Sequence, residues 1–107
     1  MFTKSNPDGY NEPMPGIKIK TICHGEKTLM AEFILKAGGD LPSHTHPHEQ
    51  TGYLVMGHIR LHIDGKVYDV KTGDSWCIPG DVEHGAKILE NSVAVEVFSP
   101  VREDLLP

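Results

Sequence analysis

Long apolar runs are missing from this sequence. Nowhere in its 107 residues do the ~18 consecutive apolar positions of a bilayer-spanning helix occur. The opening residues, Met1-Phe2-Thr3-Lys4-Ser5-Asn6-Pro7, hold no apolar signal-peptide core. A cytoplasmic protein with no membrane partner is therefore expected. Cysteine is scarce: only Cys23 and Cys77 occur, too few for a disulfide framework and too far apart for a closely spaced zinc pair. Each follows a large apolar residue in a strand-like run, so both are expected to be buried thiols. Positive charge is also short. Ten Lys and Arg stand against 15 Asp and Glu, a net charge of −5, which argues against nucleic-acid binding because that needs concentrated basic residues. Helical periodicity is the last absence, since no window of about a dozen residues joins a 3.6-residue apolar repeat to start and stop signals.

What remains is strand material. The 11 glycines and eight prolines punctuate short runs with strand character, and the length suits one domain. Residues 1–16 carry Pro7, Gly9, Pro13, Pro15 and Gly16 with few large apolar groups, and read as an irregular N-terminal arm. Residues 17–107 read as the single folded domain. Ile17 to Ile22 alternates with period two, whereas Leu29 to Leu35 is more uniformly apolar, as a strand buried on both faces would be. Further strands are expected at 75–78, 83–89 and 93–98. The clearest local signal is Asp64-Gly65 between two alternating runs, a type I′ hairpin turn. A two-residue loop sets Ile63 opposite Lys66, Leu61 opposite Tyr68, Ile59 opposite Val70 and Arg60 opposite Asp69. His58 and His62 then fall on the polar face and read as solvated. Short strands separated by Gly and Pro indicate an all-β antiparallel sandwich or barrel.

The sharpest feature is Ser43-His44-Thr45-His46-Pro47-His48-Glu49-Gln50. In a strand, residues two apart project to one face, so the imidazoles of His44 and His46 can reach one point, as metal binding requires. Gln50 shares that parity and Glu49 does not. His48 is either a further imidazole or a rim residue once Pro47 bends the chain. A last ligand should come from a distant strand, and His84 is the candidate. Taken alone, it reads equally as a hydrogen-bonded core histidine.

The spacings resemble those of the cupin family. Gly38, His44-x-His46, Gln50 and Gly57 follow its first motif, and Gly73, Pro79 and His84 follow its second, with 15 residues between Gly57 and Gly73. The departures are Gln50 where glutamate is usual, Asp81 where the second motif has glycine, and Ile88 where it has asparagine. The resemblance implies a double-stranded β-helix, a jelly-roll barrel holding one divalent metal (Zn, Ni, Mn or Fe) on His44, His46, Gln50 and His84. It also implies a homodimer, with the N-terminal arm a candidate for the interface. Gln50 stays open between metal ligand and hydrogen-bond partner of a histidine, and in the second case Glu49 is the alternative ligand. A neutral amide in place of a carboxylate leaves the metal centre more positive. That favours a small acidic ligand and non-redox Lewis-acid chemistry over oxygen chemistry.

Beyond the last expected strand, Glu96 interrupts an apolar run and Arg102 lies just past Pro100. On the residues alone, Glu96 fits a solvated edge and Arg102 a surface ion pair worth under about 1 kcal/mol. The stretch also resembles the cupins of pectin and alginate breakdown that linearise unsaturated uronates, which carry an acid, an aromatic and an arginine here. By position these are Glu96, Phe98 and Arg102, with glutamate where that subgroup has aspartate. The resemblance implies that Glu96 and Arg102 are catalytic and that Phe98 and Trp76 wall the substrate pocket, although both aromatics fit an ordinary core. The competing readings are a non-catalytic metal or sugar-acid binding protein, and a cupin dioxygenase or isomerase of another substrate.

Overall fold

The computed structural model describes residues 1–107. Two long antiparallel strands organise it, β5 (Glu49–Ile63) and β8 (His84–Ser99), paired along most of their length. Around them stand β1 (Asn11–Met14), β2 (Ile17–His24), β3 (Leu29–Leu35), β4 (Asp40–His44), β6 (Lys66–Lys71) and β7 (Ser75–Ile78), and the only helix is a 3-10 turn at Glu103–Leu105. Neither long strand is straight. Their register shifts between Leu54 and Ile59, where Gly57 has a φ of 113°. A Cβ on Gly57 would lie 2.0 Å from Ser92 Oγ, so both dihedral and space demand glycine. Ser92 braces this corner, accepting from the His58 amide at 3.1 Å and donating to the Glu90 carbonyl at 2.7 Å.

The bend shares each long strand between two layers. β1, β2, β3, the later half of β8, the first half of β5 and β7 form one layer. β4, the first half of β8, the later half of β5 and β6 form the other. In a straight strand His84 and Phe98 would stand ~45 Å apart. Here their rings lie 4.9 Å and 5.8 Å from that of His46. The expected all-β jelly-roll is therefore present, and its two layers close on one site.

Inward positions form the core, in which Ile17, Leu29, Leu54 and Phe98 are fully buried. Ala31, Ala86 and Ala94 also point inward, and the small side chains of Ala86 and Ala94 line the cavity at the polar end.

The Asp64-Gly65 hairpin forms in the anticipated register, with positive φ at both turn residues and Arg60 3.9 Å from Asp69. His58 is not simply solvated, because its Nε2 lies 3.0 Å from Asp69. Four other expectations need correction. The arm is not wholly irregular: Asn11–Met14 pairs with β2, and Tyr10 donates its hydroxyl to Glu32, because backbone hydrogen bonds need no apolar side chains. β3 is buried on one face only, with Met30, Glu32 and Ile34 half-buried on the other. The runs 83–89 and 93–98 are one strand, joined through the Ser92 corner. Cys23 and Cys77 are exposed. Cys77 lies between inward-facing Trp76 and Ile78 and so points out, and Cys23 follows a bulge that turns it outward.

Candidate metal centre and its cavity

His44 is the last residue of β4 and pairs directly with His84, the first of β8, with their ring centroids 4.3 Å apart. His46 lies just beyond the strand, so shared strand parity is not what brings it in. The chain turns there, and the Asp81 amide holds the His46 carbonyl at 2.8 Å. Candidate ligand nitrogens of His44, His46 and His84 all fall within 4.8 Å of one another.

The hydrogen bonds assign the tautomers. Nδ1 of His44 meets the Pro42 carbonyl at 2.9 Å, that of His46 the His48 carbonyl at 3.1 Å, and that of His84 the Val82 carbonyl at 2.8 Å. A carbonyl only accepts, so each Nδ1 carries a proton, and in the neutral imidazole Nε2 is then the nitrogen with the lone pair. Backbone carbonyls orient metal-binding histidines in this way. Burial lowers the pKa of His46, with Arg102 adding to the effect, and burial likewise lowers that of His84 against the opposing bond to Val82. Both are therefore favoured as neutral imidazoles. His84 Nε2 is buried with no partner, a costly arrangement for a polar atom that nothing ligates.

Gln50 faces inward from β5 and is buried. Its amide nitrogen donates to Oε1 of Glu96, which settles the orientation of the amide. The amide oxygen then lies 3.0 Å from His46 Nε2. Two lone pairs that close repel each other unless a cation sits between them, so the donor set fits a divalent metal. Glu49 is exposed on the outward face, which removes it as the alternative ligand. His48 is not one of the clustered histidines, and its Nδ1 is buried without a partner.

Glu96 points inward and is buried, so the solvated-edge reading does not hold. Oε1 accepts from Trp76 Nε1 at 3.0 Å as well as from Gln50. Burial raises its pKa against the opposing effects of those two donors and of Arg102. Phe98 is fully buried beneath the guanidinium of Arg102, whose centre is 4.8 Å from the ring centroid. Arg102 does fold back toward the barrel, but its fork already holds a carboxylate. Nε and Nη2 donate to Asp104 at 3.2 Å and 2.6 Å, and this contact keeps the Asp104 carboxyl below its ordinary pKa. A cavity of about 770 Å³ joins His44, Gln50, His84, Glu96, Trp76 and Arg102, a volume suited to a small molecule. Sequence reasoning did not single out Asp104 or the arm residues Asn6 and Asp8, which also line it. Only Asp104 had a signal, an acid two residues from the arginine.

The cupin-domain profile matches residues 31–100. The chain belongs to the cupin family. That segment includes the three clustered histidines, Gln50 and Glu96, and stops just short of Arg102. Among characterised relatives, the pectin degradation protein KdgF of Dickeya dadantii (strain 3937) is 33% identical over 99 residues, covering 91% of this cupin and 90% of the relative. The solved structure of KdgF from Halomonas sp. matches with a TM-score of 0.92 at 29% identity, over 99% of this chain and 100% of that one. An RmlC-like cupin from Shewanella frigidimarina matches equally well, with a TM-score of 0.92 at 26% identity over 98% and 95% of the two chains.

Proposed function

We propose that this cupin is a metal-dependent enzyme that opens the ring of a 4,5-unsaturated uronate without oxidation or reduction. The observation that carries the reading is Glu96. Its carboxyl is buried to 6% exposure, accepts from Gln50, whose amide oxygen faces the histidine cluster, and shares one cavity with Arg102. A buried acid in a cleft, its pKa raised by desolvation, is suited to proton transfer. Similarity to a pectin degradation protein supports a sugar acid as substrate.

His44, His46, His84 and Gln50 would hold one divalent metal (Zn, Ni, Mn or Fe), which when bound supplies a Lewis acid beside the substrate oxygens. None of the four is a carboxylate, so none repels an anionic substrate. Arg102, stacked on Phe98, takes the substrate carboxylate in place of Asp104 through its planar fork. Glu96 removes the proton of the ring hemiacetal hydroxyl. The ring C–O bond then breaks, leaving an aldehyde at one end and an enolate at the other. The same carboxyl returns the proton to the carbon β to the substrate carboxylate. Atoms and charges balance, and the product is an isomer, a linear keto-aldehyde acid.

Metal analysis of the purified protein, followed by incubation with unsaturated galacturonate, tests this. The enol-ether absorbance should decay with metal bound and persist after chelation. Uronate binding without decay would make the protein a non-catalytic sugar-acid binder. Oxygen consumption would make it an oxygenase.

A further inference from the structure

Gly52 occupies an inward position in β5, with Trp76 of β7 and Glu96 of β8 as its two cross-strand neighbours. A strand interior is a poor place for glycine unless another group approaches closely. Here that group is the indole. A Cβ on Gly52 would lie 2.2 Å, 2.3 Å and 2.4 Å from Cε2, Nε1 and Cζ2 of Trp76. The ring therefore lies across the bare backbone of β5 and delivers its N–H to Glu96 on the far side, at 3.0 Å.

Trp76 and Gln50 donate to the same oxygen, Oε1, and Oε2 receives no bond from the protein. Two N–H donors thus converge on Oε1, and Oε2 keeps its full acceptor capacity. Three rotatable bonds would otherwise let a glutamate carboxyl swing, and the two donors on neighbouring strands hold it in one orientation.

We infer that Trp76 is a positioning residue for Glu96, that Gly52 is the seat for its indole, and that Oε2 is the oxygen that exchanges protons with a bound uronate. The catalytic part of this inference rests on the function proposed above, whereas the contact between indole and carboxylate does not depend on it.

The protein has one tryptophan, so its ¹⁵N–¹H spectrum contains one indole signal. Glu96→Gln, which swaps a charged acceptor for a neutral one, should move that signal upfield, and Gly52→Ala should move it by displacing the ring. Trp76→Phe should lower kcat with uronate on the order of tenfold, with KM and bound metal essentially unchanged. An indole signal that ignores Glu96→Gln overturns the inference, as does an unchanged kcat in Trp76→Phe. Loss of metal in Trp76→Phe also overturns it, because Trp76 would then be a support of the metal site. If Gly52→Ala does not fold, the other two variants still decide. If the wild-type protein does not turn over uronate, the proposed function fails, and the indole signal still tests the contact.

Discussion

The two ends of the barrel are built from the same two strands and behave oppositely. At the bend, β5 and β8 turn on Gly57 and Ser92, and Ile17, Leu35, Leu54 and Ile88 are each at most 3% exposed. At the mouth, the same strands turn Gln50, His84 and Glu96 inward, each at most 6% exposed. His84, Ala86 and Ile88 in the first half of β8, and Ser92, Ala94, Glu96 and Phe98 in the second, are all buried, and the chemistry of these residues changes along the strand. His84, Ala86 and Ile88 run from polar through small to apolar toward the corner, and Glu96 and Ala94 repeat the order from the other side. Apolar burial at the bend is the source of stability. The mouth gives some of it back, because buried polar groups cost free energy that their mutual bonds only partly offset.

That contrast can be broken most severely at His84. His84→Ala should abolish bound metal and uronate turnover together, and remove the rise in melting temperature that metal gives the parent protein. Metal analysis and calorimetry would show it, and a variant that keeps one metal per chain would refute the site. Next in size, Glu96→Gln should cut turnover by ~10²–10⁴-fold. Denaturant melts of that variant should show no loss of stability, because an amide is cheaper to bury than a carboxyl. Leu54→Ala at the bend should do the reverse. It should lower unfolding free energy by about 3 kcal/mol, and the folded fraction should still bind metal in full.

The smallest effect sharpens the comparison at the rim. Asp104→Asn should release the Arg102 fork and tighten binding of an acidic ligand several-fold by isothermal titration. It should alter stability by less than about 1 kcal/mol, since the Asp104 side chain is 60% exposed. The sign with pH follows from the lowered Asp104 pKa. Stabilisation by this pair is complete above the ordinary value of 3.8 and is lost as pH falls through the lowered one. Denaturant melts should therefore separate parent from variant above that range, and the small difference should vanish below it.

Much of the mouth was legible before any coordinates. Motif spacing pointed to His44, His46, Gln50 and His84, while the choice between Gln50 and Glu49 stayed open until β5 was seen to turn Gln50 inward. The hairpin register followed from two turn residues. Local rules failed where pairing was decided elsewhere in the chain. β1 forms because β2 offers an edge, and β8 is one strand because β5 runs beside both of its halves. Cys23 and Cys77 looked buried from their apolar neighbours, but alternation turns Cys77 outward and a bulge after Thr21 does the same for Cys23.

Spacing in the chain was enough to specify an all-β barrel and the residue types gathered at its open end, because period-two alternation and tight turns are properties of a few adjacent residues. Which carboxylate oxygen Trp76 and Gln50 occupy and the glycine on which that indole rests both emerged from folding. Those contacts join residues on different strands, at ångström separations that the pairing of those strands sets and that no linear pattern encodes.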